Sequence, residues 1–224
     1  MFLLELFSGT KSVSNTAETL GFRCVSLDIA RKYKPTLVMD ILDFDCETFK
    51  AAFGVPDFIW GSPDCRHYSK VRNSMPHIPR DIEGSNKLVL KLLQIIKFFY
   101  NHNNHLVFFI ENPQTGLLKK QDFMSSIPYE VVSYCKYGFK TKKSTMIWSN
   151  VRLELLRCNA KEGLCEYKKK HNKHEEGIGH CKGERQMNRK TRLTLPSLLI
   201  ESILKQAMKA QKQGTLLEVN MEHI

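Results

Sequence analysis

Long apolar runs are absent from this chain of 224 residues, and none approaches the roughly 20 residues that cross a bilayer. Residues 1–5 also lack the basic start of a secretory signal peptide. These two absences predict an intracellular protein of the cytoplasm or nucleus, with no membrane partner. No internal repeat is visible, and the length fits one domain of moderate size.

The cysteines lack the even count of a disulfide framework. Seven of them are scattered along the chain, which fits a reducing compartment where thiols do chemistry or bind metal. Acidic residues are also outnumbered, because 34 lysines and arginines against 23 aspartates and glutamates give a net charge of +11. Such a charge either attracts a polyanion, nucleic acid above all, or only keeps a basic protein soluble.

The amino-terminal half alternates short apolar runs with segments of helical periodicity, which is typical of a parallel sheet covered by helices. Residues 85–100 carry apolar side chains at helical spacing, and Ser85 is the candidate cap of that helix. The strands are predicted near residues 2–6, 23–28, 36–40, 57–61, 105–111, 130–135 and 144–148.

Composition divides the chain into four parts. Residues 1–150 form the predicted core, and residues 151–193 form a basic, loop-rich insert. Pro196 then opens an amphipathic helix, so we expect residues 194–213 to pack back on the core. Residues 214–224 form a short tail.

The first strand-to-helix turn predicts a cofactor site. Gly9 follows the first strand, and Asp28 ends the second nineteen positions later, where a carboxylate suits ribose hydroxyls. Asp40 ends the third strand. A complete G-x-G-x-x-G is lacking, which argues against a dinucleotide and leaves S-adenosylmethionine as a nucleoside cofactor without a pyrophosphate. The alternative is that both aspartates are solvated caps of ordinary turns.

A thiol and a carboxylate follow two further strands. Cys65 comes after the strand at 57–61 through a Gly-Ser-Pro break, and Glu111 ends the strand at 105–111. A thiol beside a carboxylate suggests covalent catalysis. Each residue alone has a plainer interpretation, Cys65 as a buried apolar side chain and Glu111 as part of a capped turn.

These elements come in the order of the cytosine-5 DNA methyltransferases, which the chain resembles over residues 2–150 and again from Pro196. Residues 9–12, 68–69 and 135–139 are similar to the short phage- and virus-encoded members. The resemblance implies an α/β fold of the Rossmann-like, S-adenosylmethionine-dependent methyltransferase type. Its mostly parallel sheet has helices on both faces, and the small basic insert would recognise the target.

The resemblance also implies a mechanism, in which Cys65 adds to carbon 6 of a cytosine flipped out of duplex DNA. Glu111 would stabilise ring nitrogen 3 while carbon 5 accepts the methyl group. We expect a monomer whose partner is DNA. RNA, such as a tRNA loop, is an alternative substrate, and a catalytically degenerate nucleic-acid binder of the same fold is another alternative.

The same resemblance assigns further residues by their position. Near the cofactor it places Phe7, Gly9, Thr10, Asp28, Ile29, Asp40, Ile41 and Pro63. Near the substrate it places Ser69, Asn112, Lys143 and Thr145, with Asn112 also holding the catalytic loop.

Two departures from the family pattern bear on activity. Asp64 directly precedes Cys65, and a neighbouring carboxylate raises the pKa of a thiol unless a cation such as Arg66 offsets it. Met146 lies in a segment where the family places an arginine. Either catalysis is weakened or a nearby lysine substitutes: Lys140, Lys142 or Lys143.

The insert contains more soft metal ligands than a polar loop usually carries. The soft ligands there are Cys158, Cys165, His171, His174, His180 and Cys181. The candidate ligands of a structural zinc are Cys158, Cys165, His180 and Cys181. The alternative is a solvated basic loop whose cysteines are reduced and idle. The cations expected to contact phosphates are Lys168, Lys169, Lys170 and Arg189.

Overall fold

A computed structural model describes residues 1–69, 77, 79–177 and 185–220. The strands are β1 (Phe2–Leu6), β2 (Arg23–Asp28), β3 (Leu37–Val38), β4 (Phe58–Gly61), β5 (Val107–Pro113), β6 (Tyr129–Ser133), β7 (Ser144–Ser149), β8 (Glu176–Gly177) and β9 (Arg185–Gln186). The α-helices are α1 (Ser12–Thr19), α2 (Cys46–Phe53), α3 (Ile82–His102), α4 (Glu166–His171), α5 (Arg189–Arg192) and α6 (Ser197–Gln213).

Seven strands form one sheet in the order β3-β2-β1-β4-β5-β7-β6. The first five are mutually parallel, and β7 runs antiparallel to both of its neighbours. This confirms the expected Rossmann-like α/β class. The predicted strands are found close to their expected places, although β5 continues through Pro113, so Glu111 lies within the strand.

The central strands are buried on both faces, and alternate side chains pack into two cores. Leu4 and Ile59 pack on the side of α2 and α3, whereas Leu3 and Trp60 pack on the side of α1 and α6. Strands covered on both faces need apolar residues at nearly every position, which explains the continuous apolar runs of the sequence.

The helix α3 begins one turn earlier than the periodicity predicts. Ser85 as its cap is wrong, because the carboxylate of Asp81 accepts a hydrogen bond from the Gly84 amide at 2.7 Å. The Ser85 hydroxyl donates instead to the Asp81 carbonyl. The first turn of α3 has no fully buried side chain before Ser85, so the apolar pattern could not reveal it.

The carboxyl-terminal helix α6 follows Pro196 and packs against α1. The insert has more regular structure than predicted, because it contains α4, α5 and the pair β8–β9. All of these elements are short, and no residue of α4 is buried. Among the described helices, none is long and apolar enough to cross a membrane.

A buried carboxylate connects β1 to the start of α1. Glu5 accepts hydrogen bonds from the backbone amide of Ser14, at 2.9 Å, and from the Ser14 hydroxyl. It thereby satisfies an amide in the first turn of α1 that has no partner within the helix. Burial raises the pKa of Glu5 to about 7, although the bonds from Ser14 oppose the rise.

We predict that Glu5→Gln stabilises the protein more at pH 8 than at pH 5. The folded state holds the Glu5 proton more tightly than the unfolded chain does. The stability that protonated Glu5 contributes to the unaltered protein is therefore complete below the unfolded pKa and is lost as pH rises through 7. Glutamine keeps an acceptor and removes the buried charge. The gain at pH 8 should reach at most about 3 kcal/mol in urea unfolding, since one pKa unit is worth about 1.4 kcal/mol.

Glu18→Gln on the exposed face of α1 is the matched control, and we expect it to change stability little at either pH. An equal effect of Glu5→Gln at both pH values would contradict the role of the buried charge.

Candidate active site

The turn that follows β1 has an unusual backbone. Phe7, Gly9 and Lys11 all have positive φ, at 58°, 46° and 58°. Asp28 holds this turn to the end of β2, because one of its oxygens accepts from the Gly9 amide at 2.7 Å and the other from the Ala30 amide at 2.7 Å. The two strand ends therefore form one rigid rim.

A cavity of about 720 Å³ opens at this rim. Seven of the eight predicted cofactor residues line it, together with Cys65 and Glu111: Phe7, Gly9, Asp28, Ile29, Asp40, Ile41 and Pro63. Thr10 is the exception, since its hydroxyl lies 3.3 Å from the Thr194 hydroxyl and 3.4 Å from the Leu193 carbonyl. Thr10 thus connects the turn to the segment before α6.

The loop that carries Cys65 is fixed from the neighbouring strand. The side-chain amide of Asn112 donates to the Pro63 carbonyl at 3.0 Å in a fully buried position. Tyr68 is also fully buried, and its hydroxyl donates to Asn86 at 2.7 Å. Cys65 therefore lies between two anchored positions, Pro63 and Tyr68.

The electrostatics of Cys65 differ from those expected from the sequence. Burial is the main reason that its pKa rises to about 11, and the nearby Glu111 carboxylate is the second. Lys143 lowers the pKa of Cys65, and Asp64 raises it less than Glu111 does. Asp64 forms an ion pair with Arg66 at 2.5 Å, in which the side chain of Arg66 is 80% exposed.

Glu111 has two side-chain partners, and the sequence did not predict that they contact it together. The Tyr134 hydroxyl donates to its carboxylate at 3.0 Å, and Lys143 Nζ lies 3.9 Å from the same oxygen. Burial and the charge of Glu111 raise the pKa of Tyr134, which keeps this phenol protonated as a donor. Tyr134 follows β6 directly, and no motif distinguishes it from other aromatic residues of the core.

Lys143 lines the cavity, whereas Met146 is not among its described lining residues. Lys143 Nζ lies 4.7 Å from the centre of the Tyr134 ring and donates to the Arg192 carbonyl at 3.2 Å. Met146 is buried in the core that contains Trp148. Of the other candidate lysines, Lys140 pairs with Glu175 in the insert.

Thr145 and Ser69 are the remaining predicted substrate residues. Thr145 is fully buried on β7 opposite Pro113. Ser69 is half-buried at the end of the described part of the Cys65 loop. Neither residue lines the cavity, whose described lining includes Glu111, Lys143 and Arg192.

One relative is similar over two thirds of the chain. It is 31% identical over 162 residues to the "Probable DNA (cytosine-5)-methyltransferase" of Frog virus 3, covering 67% of this chain and 71% of that protein. The chain belongs to the cytosine-5 DNA methyltransferase family. A candidate type II methyltransferase of Methanocaldococcus jannaschii is 28% identical over 108 residues, 44% of this chain and 35% of that one. No protein-family model matches the chain.

Solved structures resemble the chain more loosely. A candidate DNA modification methyltransferase from an E. coli prophage is 18% identical, with a TM-score of 0.49, over 66% of this chain and 46% of that one. A Spodoptera frugiperda DNMT2 mutant is 17% identical, with a TM-score of 0.47, over 70% and 53%. This chain thus spans about half the length of those two chains.

A cluster of thiols lies apart from the cavity. Cys135, Cys158, Cys165 and His174 bring their ligand atoms within 4.8 Å of one another. Two of these four, Cys158 and Cys165, are among the ligands predicted for zinc. The other two predicted ligands, His180 and Cys181, lie outside the described residues. Cys135 precedes the insert in the sequence, which is why spacing within the insert could not identify it.

We predict that the reactivity of Cys65 is controlled by Glu111 more than by its neighbour Asp64. Alkylation by iodoacetamide requires the thiolate, so the rate should rise about tenfold per pH unit up to pH 10. Glu111→Gln removes a charge that raises the pKa of Cys65 and should accelerate alkylation at pH 8. Lys143→Met removes a charge that lowers it and should slow alkylation. Mass spectrometry of the Cys65 peptide measures each rate.

Cys46 is the internal control, because burial dominates its raised pKa and neither Glu111 nor Lys143 contributes to it. Its rate should not change in these variants. A larger acceleration by Asp64→Asn than by Glu111→Gln would contradict the assignment.

Proposed function

We propose that this chain is an active S-adenosylmethionine-dependent methyltransferase that modifies carbon 5 of cytosine in DNA. The observation that carries the proposal is that Cys65, Glu111 and the residues expected at the cofactor line one cavity. Its relative in Frog virus 3 supports DNA as the substrate.

The cavity fits a nucleoside cofactor. Its volume is in the range of small-molecule sites. Asp28 uses one lone pair of each oxygen for backbone amides and has acceptor capacity left for ribose hydroxyls. Ile29, which is 69% exposed at the cavity, offers an apolar surface for a base. No described heavy atom beyond its chain neighbours lies within 4 Å of the place a Cβ on Gly9 would take, so a ligand can approach this backbone closely.

These residues would hold S-adenosylmethionine: Phe7, Gly9, Asp28, Ile29, Asp40 and Ile41. When bound, this cofactor supplies an electrophilic methyl group. Pro63 would close the cavity toward Cys65. The Asp40 carboxylate, which accepts a hydrogen bond from the Leu42 amide at 3.0 Å, would accept another from the adenine amino group.

Cys65 would act as the nucleophile. Its thiolate forms a bond to carbon 6 of cytosine, and the electron pair of the carbon 5–carbon 6 double bond becomes available at carbon 5. After methylation, carbon 5 loses its proton to a base such as water. That electron pair restores the double bond and expels the Cys65 thiolate.

Glu111 would stabilise the cytosine ring at nitrogen 3 during addition. For this the carboxyl needs to carry or share a proton, and the Tyr134 hydroxyl and Lys143 ammonium lie 3.0 and 3.9 Å from it to orient it. Lys143 would also supply the positive charge that the family obtains from an arginine in this segment. Its position supports activity despite Met146.

The thiol also has to ionise, and the pKa of about 11 describes it before substrate is bound. Protonation of Glu111 would remove the second largest contribution to that pKa, so the acid and the nucleophile are coupled. Asp64 is a lesser obstacle, because it raises the pKa of Cys65 less than Glu111 does and forms an ion pair with Arg66. A flipped base is required for Cys65 to reach carbon 6.

We predict a covalent adduct between Cys65 and DNA that contains 5-fluorocytosine, because fluorine blocks the loss of the carbon 5 substituent. The target sequence need not be known if a long duplex is synthesised with 5-fluorocytosine at every cytosine. With S-adenosylmethionine present, a denaturing gel should show a slower, covalent band. Cys65→Ala should abolish it, and Glu111→Gln should reduce methyl transfer to ordinary DNA by about 100-fold or more.

Cys46→Ala is the matched control, since this half-buried thiol lies outside the described lining of the cavity. It should form the adduct at the normal rate. Binding to the duplex without any adduct would contradict the proposal and indicate a nucleic-acid-binding protein of the same fold.

We predict that tritium from methyl-labelled S-adenosylmethionine enters duplex DNA rather than total RNA. Both substrates would use the same thiol and carboxylate, so only a direct comparison separates them. Equal masses of DNA and RNA should be incubated with the protein and with Cys65→Ala as the blank. Incorporation into RNA alone would refute the DNA assignment and leave the cytosine-5 chemistry intact.

A further inference from the structure

We propose that Cys135, Cys158, Cys165 and His174 bind one Zn²⁺ ion that fixes the insert to the end of β6. The four residues come from three separate segments: the turn after β6, the start of the insert, and the chain between α4 and β8. Such a site would be structural, because it lies outside the cavity and supplies four protein ligands.

The spacing of the ligand atoms fits tetrahedral zinc. With Zn–S near 2.3 Å and Zn–N near 2.0 Å, neighbouring ligand atoms of a tetrahedron lie about 3.5 to 3.8 Å apart. Cys158 Sγ lies 3.5 Å from His174 Nε2, and all four ligand atoms lie within 4.8 Å of one another. A shift of less than about 1 Å would bring the set to bonding geometry around one ion.

The environment also fits a closed metal site. Cys158, Cys165 and His174 are 2%, 8% and 7% exposed, and Cys135 is half-buried. The three cysteines are free thiols in the structure. Three thiolates and a neutral imidazole form a Cys₃His set, which is one of the common structural zinc sites. Binding would release the thiol protons to solvent.

Hydrogen bonds between backbone and side-chain atoms hold together the segments that carry the thiols. The Cys165 amide donates to Cys158 Sγ at 3.3 Å, a bond that stabilises a thiolate. Between them, Asn159 and Gly163 form an isolated β-bridge that closes the turn. The Cys158 amide donates to Ser133 Oγ at 3.1 Å, and Lys136 Nζ donates to the Leu164 carbonyl at 3.1 Å. The two segments are thereby joined on either side of Cys135.

The insert has little regular structure that could hold it in place without an ion. Its helix α4 has six residues and none is buried, and its two described strands have two residues each. A segment of this size buries too little apolar surface to hold a fixed position by itself. A Zn²⁺ ion would fix it to the sheet at Cys135, whose neighbour Tyr134 donates to Glu111.

We predict that the purified protein, expressed with zinc in the medium, retains about one Zn²⁺ per chain after gel filtration. Inductively coupled plasma mass spectrometry measures the content. Replacing zinc with Co²⁺ should give the intense visible bands of a tetrahedral thiolate site. Cys135→Ser, Cys158→Ser and His174→Ala should each weaken metal affinity about tenfold or more.

Matched controls separate this ligand set from others. Cys24→Ser and Cys46→Ser remove half-buried thiols outside the cluster and should keep the full zinc content. Cys181→Ser tests the set predicted from the sequence. Loss of zinc in Cys181→Ser with full retention in Cys135→Ser would overturn the proposal in favour of that set.

Thiol mapping on the unaltered protein provides a test that does not depend on variants folding. Zinc should protect Cys135, Cys158 and Cys165 from alkylation, and removal by a chelator should expose these three while Cys24 and Cys46 stay unchanged. Hydrogen exchange should increase in residues 158–177 after chelation and not in β1 or β4. A protein without bound zinc, a disulfide among the three cysteines, or alkylation that zinc does not alter would each overturn the proposal. None of these readouts depends on methyl transfer.

Discussion

Parallel pairing of β1 with β4 and of β4 with β5 is the constraint on which the site depends. It brings the carboxyl ends of three strands to one edge, so that the turn at Phe7, the thiol of Cys65 and the carboxylate of Glu111 share a cavity. The strands are buried on both faces, and a shift of register would move side chains between the two cores. Packing of the sheet therefore fixes the geometry of the chemistry.

The same burial sets the electrostatic problem of the site. A thiol close to a carboxylate and away from water resists ionisation, and the pKa of Cys65 rises accordingly. Tyr134 and Lys143 surround Glu111 with a donor and a cation, which offsets part of this cost. Both belong to the β6–β7 region, so the antiparallel edge of the sheet supports residues delivered by its parallel part.

The insert adds a second level of organisation. It contacts the sheet near Cys135, and Arg192 at its far end accepts a hydrogen bond from Lys143 through its carbonyl. The part of the chain expected to contact DNA is thus connected at both of its described ends to the surroundings of Glu111. The connections run through Tyr134 and Lys143, which both contact the Glu111 carboxylate.

The sequence by itself determined the strand and helix pattern, the family, and the pair Cys65 and Glu111, because continuous apolar runs and strand-end motifs are local signals. Seven of the eight residues predicted at the cofactor line the cavity, since parallel strand ends meet at one edge whatever their loops contain. Tertiary structure alone decided the partners of Glu111, the burial of Met146 and the proximity of Cys135 to the insert residues Cys158, Cys165 and His174. Those depend on side chains 20 or more positions apart meeting in space, as Tyr134 and Glu111 do across 23 positions. The tertiary structure also decided that Glu111 raises the pKa of Cys65 more than Asp64 does, because a neighbour in the sequence is not always the charge with the largest effect.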